Sequence, residues 1–319
     1  MLVGVGRPGN VGKHTPFKGG GVAGLDLDFA TGRYALNSPY SSAFPSGWSF
    51  SRTGAGTALN SSGNVIQFAT GVPRITNRGL LVEEARTNPL LWSQTFQNAY
   101  WTKSNLTATD NAVVAPDGTT TGSNLTTFSS FGQVLSSGVT ITSGGSLTLS
   151  AFFKAGTAST VSLILFVSGS SFIEAVYNIS TGVVTSGPTI TGGNFSGAAA
   201  SISAAGNGFY RCQLSVNTSG ITSTEAWLRV YGGSGLTASV WGAQLEAGSF
   251  PTSLIITTGA AATRGADAAA IVAPSNVTTY TATYNNGLTA TGAVTPSASF
   301  NLVTGRPWLG GYLQRIVMS

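Results

Sequence analysis

Residues 208–216 read GFYRCQLSV. Successive side chains of a strand point to opposite faces, so Tyr210, Cys212, Leu214 and Val216 fall on one side and Phe209, Arg211, Gln213 and Ser215 on the other. That alternation predicts a half-buried antiparallel strand. Similar runs lie on both sides of it: SLTLSAFFK (146–154), TVSLILFV (160–167), FIEAVYNI (172–179), EAWLRVY (225–231) and ASVWGAQLE (238–246). Gly, Ser, Thr, Asn or Pro cluster between most of them. Short strands at near-regular spacing, with no helices between, predict an all-β fold whose body, residues 101–257, is a jelly-roll β-sandwich.

Outward from that body the pattern weakens. Residues 1–24 read as an extended, basic, Gly-rich arm. Residues 25–100 form an irregular base, with short strands at LDLDFA (25–30) and NVIQFAT (64–70) and with Pro39, Pro45 and Pro73 as punctuation. GLLVEEARTNPLLWSQ (79–94) is the best helix candidate, limited by Pro89, because proline disfavours helical geometry at the residue before it. Beyond the body, residues 258–319 read as a linker and a small β cap. Within it, TTYTATYNNGLTATGAV (278–294) predicts a hairpin, since Asn-Gly between alternating strands is a strong turn signal.

The chain has 319 residues, 42% of them hydrophobic, with 43 glycines and 12 prolines, and only 8% are charged. Aromatic and β-branched residues stay plentiful, which argues against disorder, and the length suffices for one to three domains with a true core. A single cysteine, Cys212, excludes an intrachain disulfide framework. No signal-peptide pattern follows Met1, and the longest apolar run, VSLILFV at 161–167, is too short to cross a bilayer as a helix. A soluble chain made in a cytosol, without membrane insertion, is the expectation. The formal charge of +5 is unevenly spread. Residues 1–24 hold Arg7, Lys13 and Lys18 and no carboxylate, whereas 101–250 set Lys103, Lys154, Arg211 and Arg229 against Asp110, Asp117, Glu174, Glu225 and Glu246. So neutral a body steers weakly at long range, and nucleic acid is not expected as a partner.

Catalytic and cofactor chemistry find little footing. GVGRPG (4–9) has the glycines of a dinucleotide-binding turn, but that turn needs a preceding strand and a following helix, and only three residues precede it. GNVGKHT (9–15) lacks the glycine spacing of a phosphate-binding loop and the hydroxyl after its lysine. His14 is the only histidine, and Cys212 lies on the apolar face of its strand, where it reads as a small buried hydrophobe. One His and one Cys do not build a zinc site. Glycoside hydrolysis needs two carboxylates across a sugar. The adjacent candidates, Asp26 with Asp28 and Glu83 with Glu84, read more simply as a solvated strand edge and as partners of Arg78 or Arg86. Asp26 and Asp28 also lack the further oxygen ligands of a calcium loop. No catalytic residue, no metal, no cofactor and no enzymatic activity are expected.

EAWLRVY offers a different kind of site. Ala226, Leu228 and Val230 share one face, and Trp227, Arg229 and Tyr231 share the other. With the first face in the core, an aromatic–guanidinium–aromatic row points outward. Aromatic faces pack against the C–H faces of sugars, and Arg hydrogen-bonds hydroxyls or carboxylates. The same row equally suits burial under a neighbouring subunit or loop, with Arg229 stacked on a ring. Trp92, Tyr100 and Trp101 are expected to seal the base of the sandwich.

GLLVEEARTN (79–88), WGAQLEAGSFPTS (241–253) with the trailing TRGAD (263–267), and the closing GGYLQRI (310–316) resemble segments of the head-spike and tail-fibre proteins of bacteriophages and gene transfer agents. The resemblance covers residues 25–319, and Pro89 departs from the leucines expected after Arg-Thr-Asn. It implies a virion surface protein, synthesised in the bacterial host cytoplasm, whose jelly-roll body displays a surface for host cell-surface polysaccharide. It further implies a homo-oligomer, trimer or pentamer, attached to capsid or other virion proteins. Under this reading Arg7, Lys13 and Lys18 anchor the arm, and residues 25–100 serve attachment and oligomerisation. Trp241, Ala243 and Leu245 would share the inward face of their strand. Glu246, Arg264 and Asp267 would form a structural junction pinning the C-terminal segment to the body, since interfacial carboxylates are kept with a partner. A purely structural decoration protein and a polysaccharide-degrading spike enzyme are the rival readings.

Overall fold

The alternation holds in three dimensions over residues 211–216: Cys212, Leu214 and Val216 are buried, while Arg211, Gln213 and Ser215 are half-exposed on the other side; Tyr210 is half-exposed and Phe209 is buried on the outer face. The structure, a computed structural model, describes residues 24–37, 39–303 and 311–319. Arg7, Lys13, Lys18 and His14 therefore lie outside the described residues. Among the described residues the only helical element is the short 3-10 turn Gly206–Gly208.

Eight strands build the centre of a sandwich: β1 (Gly122–Thr127), β2 (Phe131–Leu135), β3 (Ser146–Ala155), β4 (Thr160–Ser168), β5 (Ser171–Asn178), β6 (Tyr210–Thr218), β7 (Ser223–Tyr231) and β8 (Thr237–Ala247). The first sheet runs β1-β8-β3-β6 and the second β2-β7-β4-β5, all antiparallel. This order, with successive strand pairs crossing between two sheets, is that of a jelly roll. Leu106–Val113 and Phe195–Ala204 extend the first sheet at its two edges, and Thr102–Ser104 and Val183–Thr191 extend the second. The inner faces meet in one core, in which Leu149, Phe153, Leu163, Tyr177, Leu214 and Leu228 are fully buried. Burial also pushes the Cys212 thiol well above its ordinary range, as suits a packing residue.

One expectation about β8 fails. Its register against β3 shifts between Ser150 and Phe152, which face Gln244 and Trp241, and Gly242 sits there with φ of 64°. Such a bulge sets two residues against one and reverses the facing of the residues beyond it. Val240, Ala243 and Leu245 stay in the core, and Trp241 turns outward onto Phe152, with ring centroids 5.3 Å apart. Trp241 thus does not share a face with Ala243 and Leu245.

The outer face of the first sheet is partly covered. Its outer side carries Phe152, Trp241 and the adjacent Phe209, packed with Val65, Ala115 and Leu254. Below lies a second unit made from both ends of the chain. Leu313–Met318 runs between Leu25–Asp28 and Thr279–Tyr284, with Arg33–Leu36 and Thr289–Ala293 outside them. A three-stranded layer, Ser299–Asn301, Ala268–Val272 and Ser49–Ser51, contributes Ile271 to a core with Leu27, Phe29, Ala282, Ile316 and Met318. The hairpin expected over 278–294 is present, with Tyr284 N donating to Leu288 O at 2.9 Å and Gly287 in the turn.

The helix expected over 79–94 is absent. Gly79–Leu81 pairs with Arg74–Thr76 and with Leu313, and Arg86–Asn88 pairs with Ala262–Arg264. Gly79 has φ of 121°, and Leu80, Leu81 and Val82 are all buried, which a surface helix with one apolar stripe does not allow. Long-range pairing overrides the local preference.

Candidate functional site

The exposed face of the second sheet is built by alternation in β7. Ala226, Leu228 and Val230 are fully buried in the core, so Trp227, Arg229 and Tyr231 stand half-buried on the outside. Register places Gln133 and Ser162 on either side of Arg229, Leu135 and Ile164 beside Trp227, and Phe131 and Thr160 beside Tyr231. Arg229 is the hub. Its Nε donates to Gln133 Oε1 at 2.8 Å, and its Nη1 reaches across β4 to Glu174 Oε1 on β5 at 3.3 Å and to the Tyr231 hydroxyl at 3.0 Å. Tyr231 in turn donates to the same Glu174 oxygen at 2.5 Å. The guanidinium lies 4.8 Å from the Phe131 ring centroid and 5.6 Å from that of Tyr231. Ser162 is wholly buried, and its Oγ has no hydrogen-bond partner among the described residues.

Trp227 extends the face. It stacks on Phe166 at 4.1 Å between centroids, and its indole N–H donates to Glu225 Oε2 at 2.8 Å. Burial, then the bond to Glu174, raises the Tyr231 pKa above its ordinary value, so it remains a phenol at neutral pH. The result is a row of rings held in place by an ion pair whose members are 17% and 18% exposed. Rings fixed on rigid strands present flat apolar surface without losing rotamer freedom on contact, and the flanking carboxylates and guanidinium supply directional bonds.

A second constellation lies between the sandwich and the unit below it. Asp267 accepts from Arg52 Nη1 at 3.3 Å, from Glu83 N at 2.8 Å, and from Arg74 Nη2. Glu83 pairs with Arg74 at 2.5 Å and with Arg264 at 2.9 Å, and accepts from Ser253 N at 2.8 Å. All five charged side chains are buried. Gly56 makes room for them: a Cβ there would lie 3.0 Å from Arg74 Cδ and 3.3 Å from Arg264 Cδ and from Arg52 Cζ. Burial alone would raise the Glu83 pKa, but Arg74 and Arg264 outweigh it and hold the carboxyl below its ordinary value. For Arg74 burial lowers the pKa, and Glu83 and Asp267 more than restore it.

The structure thus brings Arg264 and Asp267 into one network through Glu83 and Arg74. Glu246 is buried beside it and has different partners: Gln244 Nε2 at 2.5 Å, Thr252 N at 2.8 Å and Thr252 Oγ1 at 2.7 Å. Glu83 is therefore not a helical partner of Arg78 or Arg86, although Glu84 does bond Arg86. Asp26 accepts two bonds from Arg315 and one from Tyr40, and Asp28 accepts from Thr31 N at 3.0 Å. Sequence reasoning missed Arg52, Arg74 and Glu83 as a unit. The signal available was scarcity, since each is a charge in a chain that uses few. Trp101 is fully buried against the sandwich core, with Trp92 and Tyr100 packed on it. Among the described residues, no group of three or more His, Cys, Asp or Glu side chains converges, and no helix is long and apolar enough to cross a membrane.

The chain matches no family model and no curated protein. It is similar, at 16% identity and a TM-score of 0.33, to the enzymatically active domain of tailspike protein 4 of bacteriophage CBA120, over 50% of this chain and 21% of that one. It therefore spans about a fifth of that tailspike chain. It is also similar, at 10% identity and a TM-score of 0.35, to a carbohydrate-binding module of the β-sandwich superfamily, over 70% of this chain and 84% of that one. The expectation of no enzymatic activity does not stand, because the chain is similar to the enzymatically active domain of a phage tailspike.

Proposed function

We propose that the chain is a surface protein of a bacteriophage-like virion, a head spike or tail fibre, and that it contacts host-surface polysaccharide through the outer face of the second sheet. The observation that carries this reading is the Trp227–Arg229–Tyr231 row, half-exposed and held rigid by Gln133, Glu174, Phe131 and Phe166. Rings of this kind pack on sugar C–H faces, and the row's charged groups hydrogen-bond hydroxyls. In the assembled particle residues 101–257 are displayed, and residues 1–100 attach the protein to capsid or other virion proteins and hold a homo-oligomer together. Residues 258–319 cap the base, with Glu246, Arg264 and Asp267 at the junction, and Arg7, Lys13 and Lys18 dock the arm. Equilibrium binding of the full chain to a panel of bacterial capsular polysaccharides and lipopolysaccharide O-chains tests the reading. Saturable binding to at least one supports it, and absence of binding across the panel contradicts it. Reducing-end release in the same samples shows whether a bound glycan is also cut.

A further inference from the structure

On the opposite side of the sandwich, between the outer face of the first sheet and the unit below, lies a cleft of about 270 Å³ that is open to solvent. Arg211 and Gln213 of β6 line it from the sandwich, Arg78 and Tyr312 from below, and Phe250 stands in its lining with 41% of its surface exposed. The cleft and the network adjoining it hold the guanidiniums of Arg52, Arg74, Arg78, Arg211 and Arg264 against the carboxylates of Glu83, Glu246 and Asp267. Arg78 and Arg211 make no direct ion pair among the described residues, although Glu246 and then Glu83 act on Arg211 through space. Arg211 donates only to neutral acceptors, Thr252 O at 2.8 Å and Ser150 Oγ at 2.9 Å, over the Phe152 ring. Arg78 donates Nε to Asn60 O at 2.7 Å, and both its terminal nitrogens have no hydrogen-bond partner among the described residues.

A half-exposed guanidinium whose terminal nitrogens have no protein partner is free to meet an anion from solution. We propose that this cleft is a binding site for the carboxylate of an acidic sugar, a hexuronate unit of a polysaccharide. The free fork of Arg78 matches the two oxygens of a carboxylate, and Arg211 supplies the second positive charge. Phe250, which carries the Arg86 guanidinium 5.4 Å from its ring centroid, offers its other face to the C–H face of the pyranose. Tyr312, whose oxygen accepts from Leu59 N at 2.6 Å, keeps its own proton to donate to a hydroxyl. The volume lies at the small end for ligand sites, which start near roughly 300 Å³, so the cleft suits one sugar unit.

Calorimetric titration of the full chain with oligogalacturonate, oligoglucuronate and oligomannuronate, with the methyl ester of each and with a neutral maltooligosaccharide, tests the proposal. At least one acidic oligosaccharide binds, its ester and the neutral chain bind at least tenfold more weakly, and added salt weakens the acid's binding. Arg78→Gln lowers the affinity at least tenfold, and Arg78→Lys lowers it less. Arg78 is half-exposed and outside the buried ion pairs, so unchanged melting curves establish that its variants fold. No binding by any of the three acids overturns the proposal, as does equal binding of acid and ester. Binding that survives Arg78→Gln but is lost in Trp227→Ala also overturns it, and assigns the glycan to the second sheet alone.

Discussion

Glu83 serves two guanidiniums at once, and that makes it the residue whose charge the junction can least lose. Its pKa is held below the ordinary value of 4.5 by Arg74 and Arg264 against the opposing effect of burial. A carboxyl with a depressed folded-state pKa contributes stability that is present above the unfolded value and lost as pH falls through the folded one. The protein is therefore expected to lose stability below about pH 4.5 in acid titration followed by intrinsic fluorescence. Glu83→Gln removes that part of the acid dependence and costs about 3–5 kcal/mol at neutral pH, as breaking one partner of a buried pair does. Gly242 is a second single-residue test. A Cβ there would stand 3.0 Å from Leu254 Cδ2 and Phe152 Cδ2, at a φ that favours glycine. Gly242→Ala is expected to cost about 1–3 kcal/mol in chemical denaturation. At this scale the sequence exposes isolated charges such as Arg264 and Asp267, because so little of the chain is charged. It does not expose their partners, since Arg52 meets Asp267 across 215 positions and Arg74 meets it across 193. The Gly242 bulge is equally silent, because a bulge shifts the facing of a strand without changing its composition.

Strands with large alternating side chains are legible, and those without are not. Residues 146–154, 160–167, 172–179 and 225–231 each contain apolar residues at every second position or a continuous buried run, and each is a strand. Val183–Thr191 and Phe195–Ala204 are also strands, yet they read as loops: the first contains Gly187 and Pro188, and the second is mostly Gly, Ala and Ser. Both lie at sheet edges, where proline is tolerated and little apolar surface needs burial. The misread helix at 79–94 has the opposite cause, because its leucines and valine are buried by pairing with distant strands. Gly79→Ala tests that pairing. A Cβ at Gly79 would collide with the Leu313 carbonyl, so the variant is expected to lower the melting temperature by loosening the C-terminal strand. Hydrogen exchange should localise the loosening to Leu313–Met318, with the amides of β3 and β8 still protected.

Taken whole, the molecule closes on itself: Leu25–Asp28 pairs with Leu313–Met318, so the two ends of the described chain share one sheet below the sandwich. Deleting residues 1–23 is expected to leave the melting temperature unchanged and to abolish incorporation into particles, as read by immunoblot of purified virions. Normal incorporation would remove the anchoring role from Arg7, Lys13 and Lys18. Binding through the outer face of the second sheet is measured by comparing the full chain with Trp227→Ala for equilibrium binding to the surface polysaccharide that the wild type binds. Saturable wild-type binding is expected to weaken at least tenfold in the variant, with the melting temperature preserved. Equal affinity of the two proteins would contradict it.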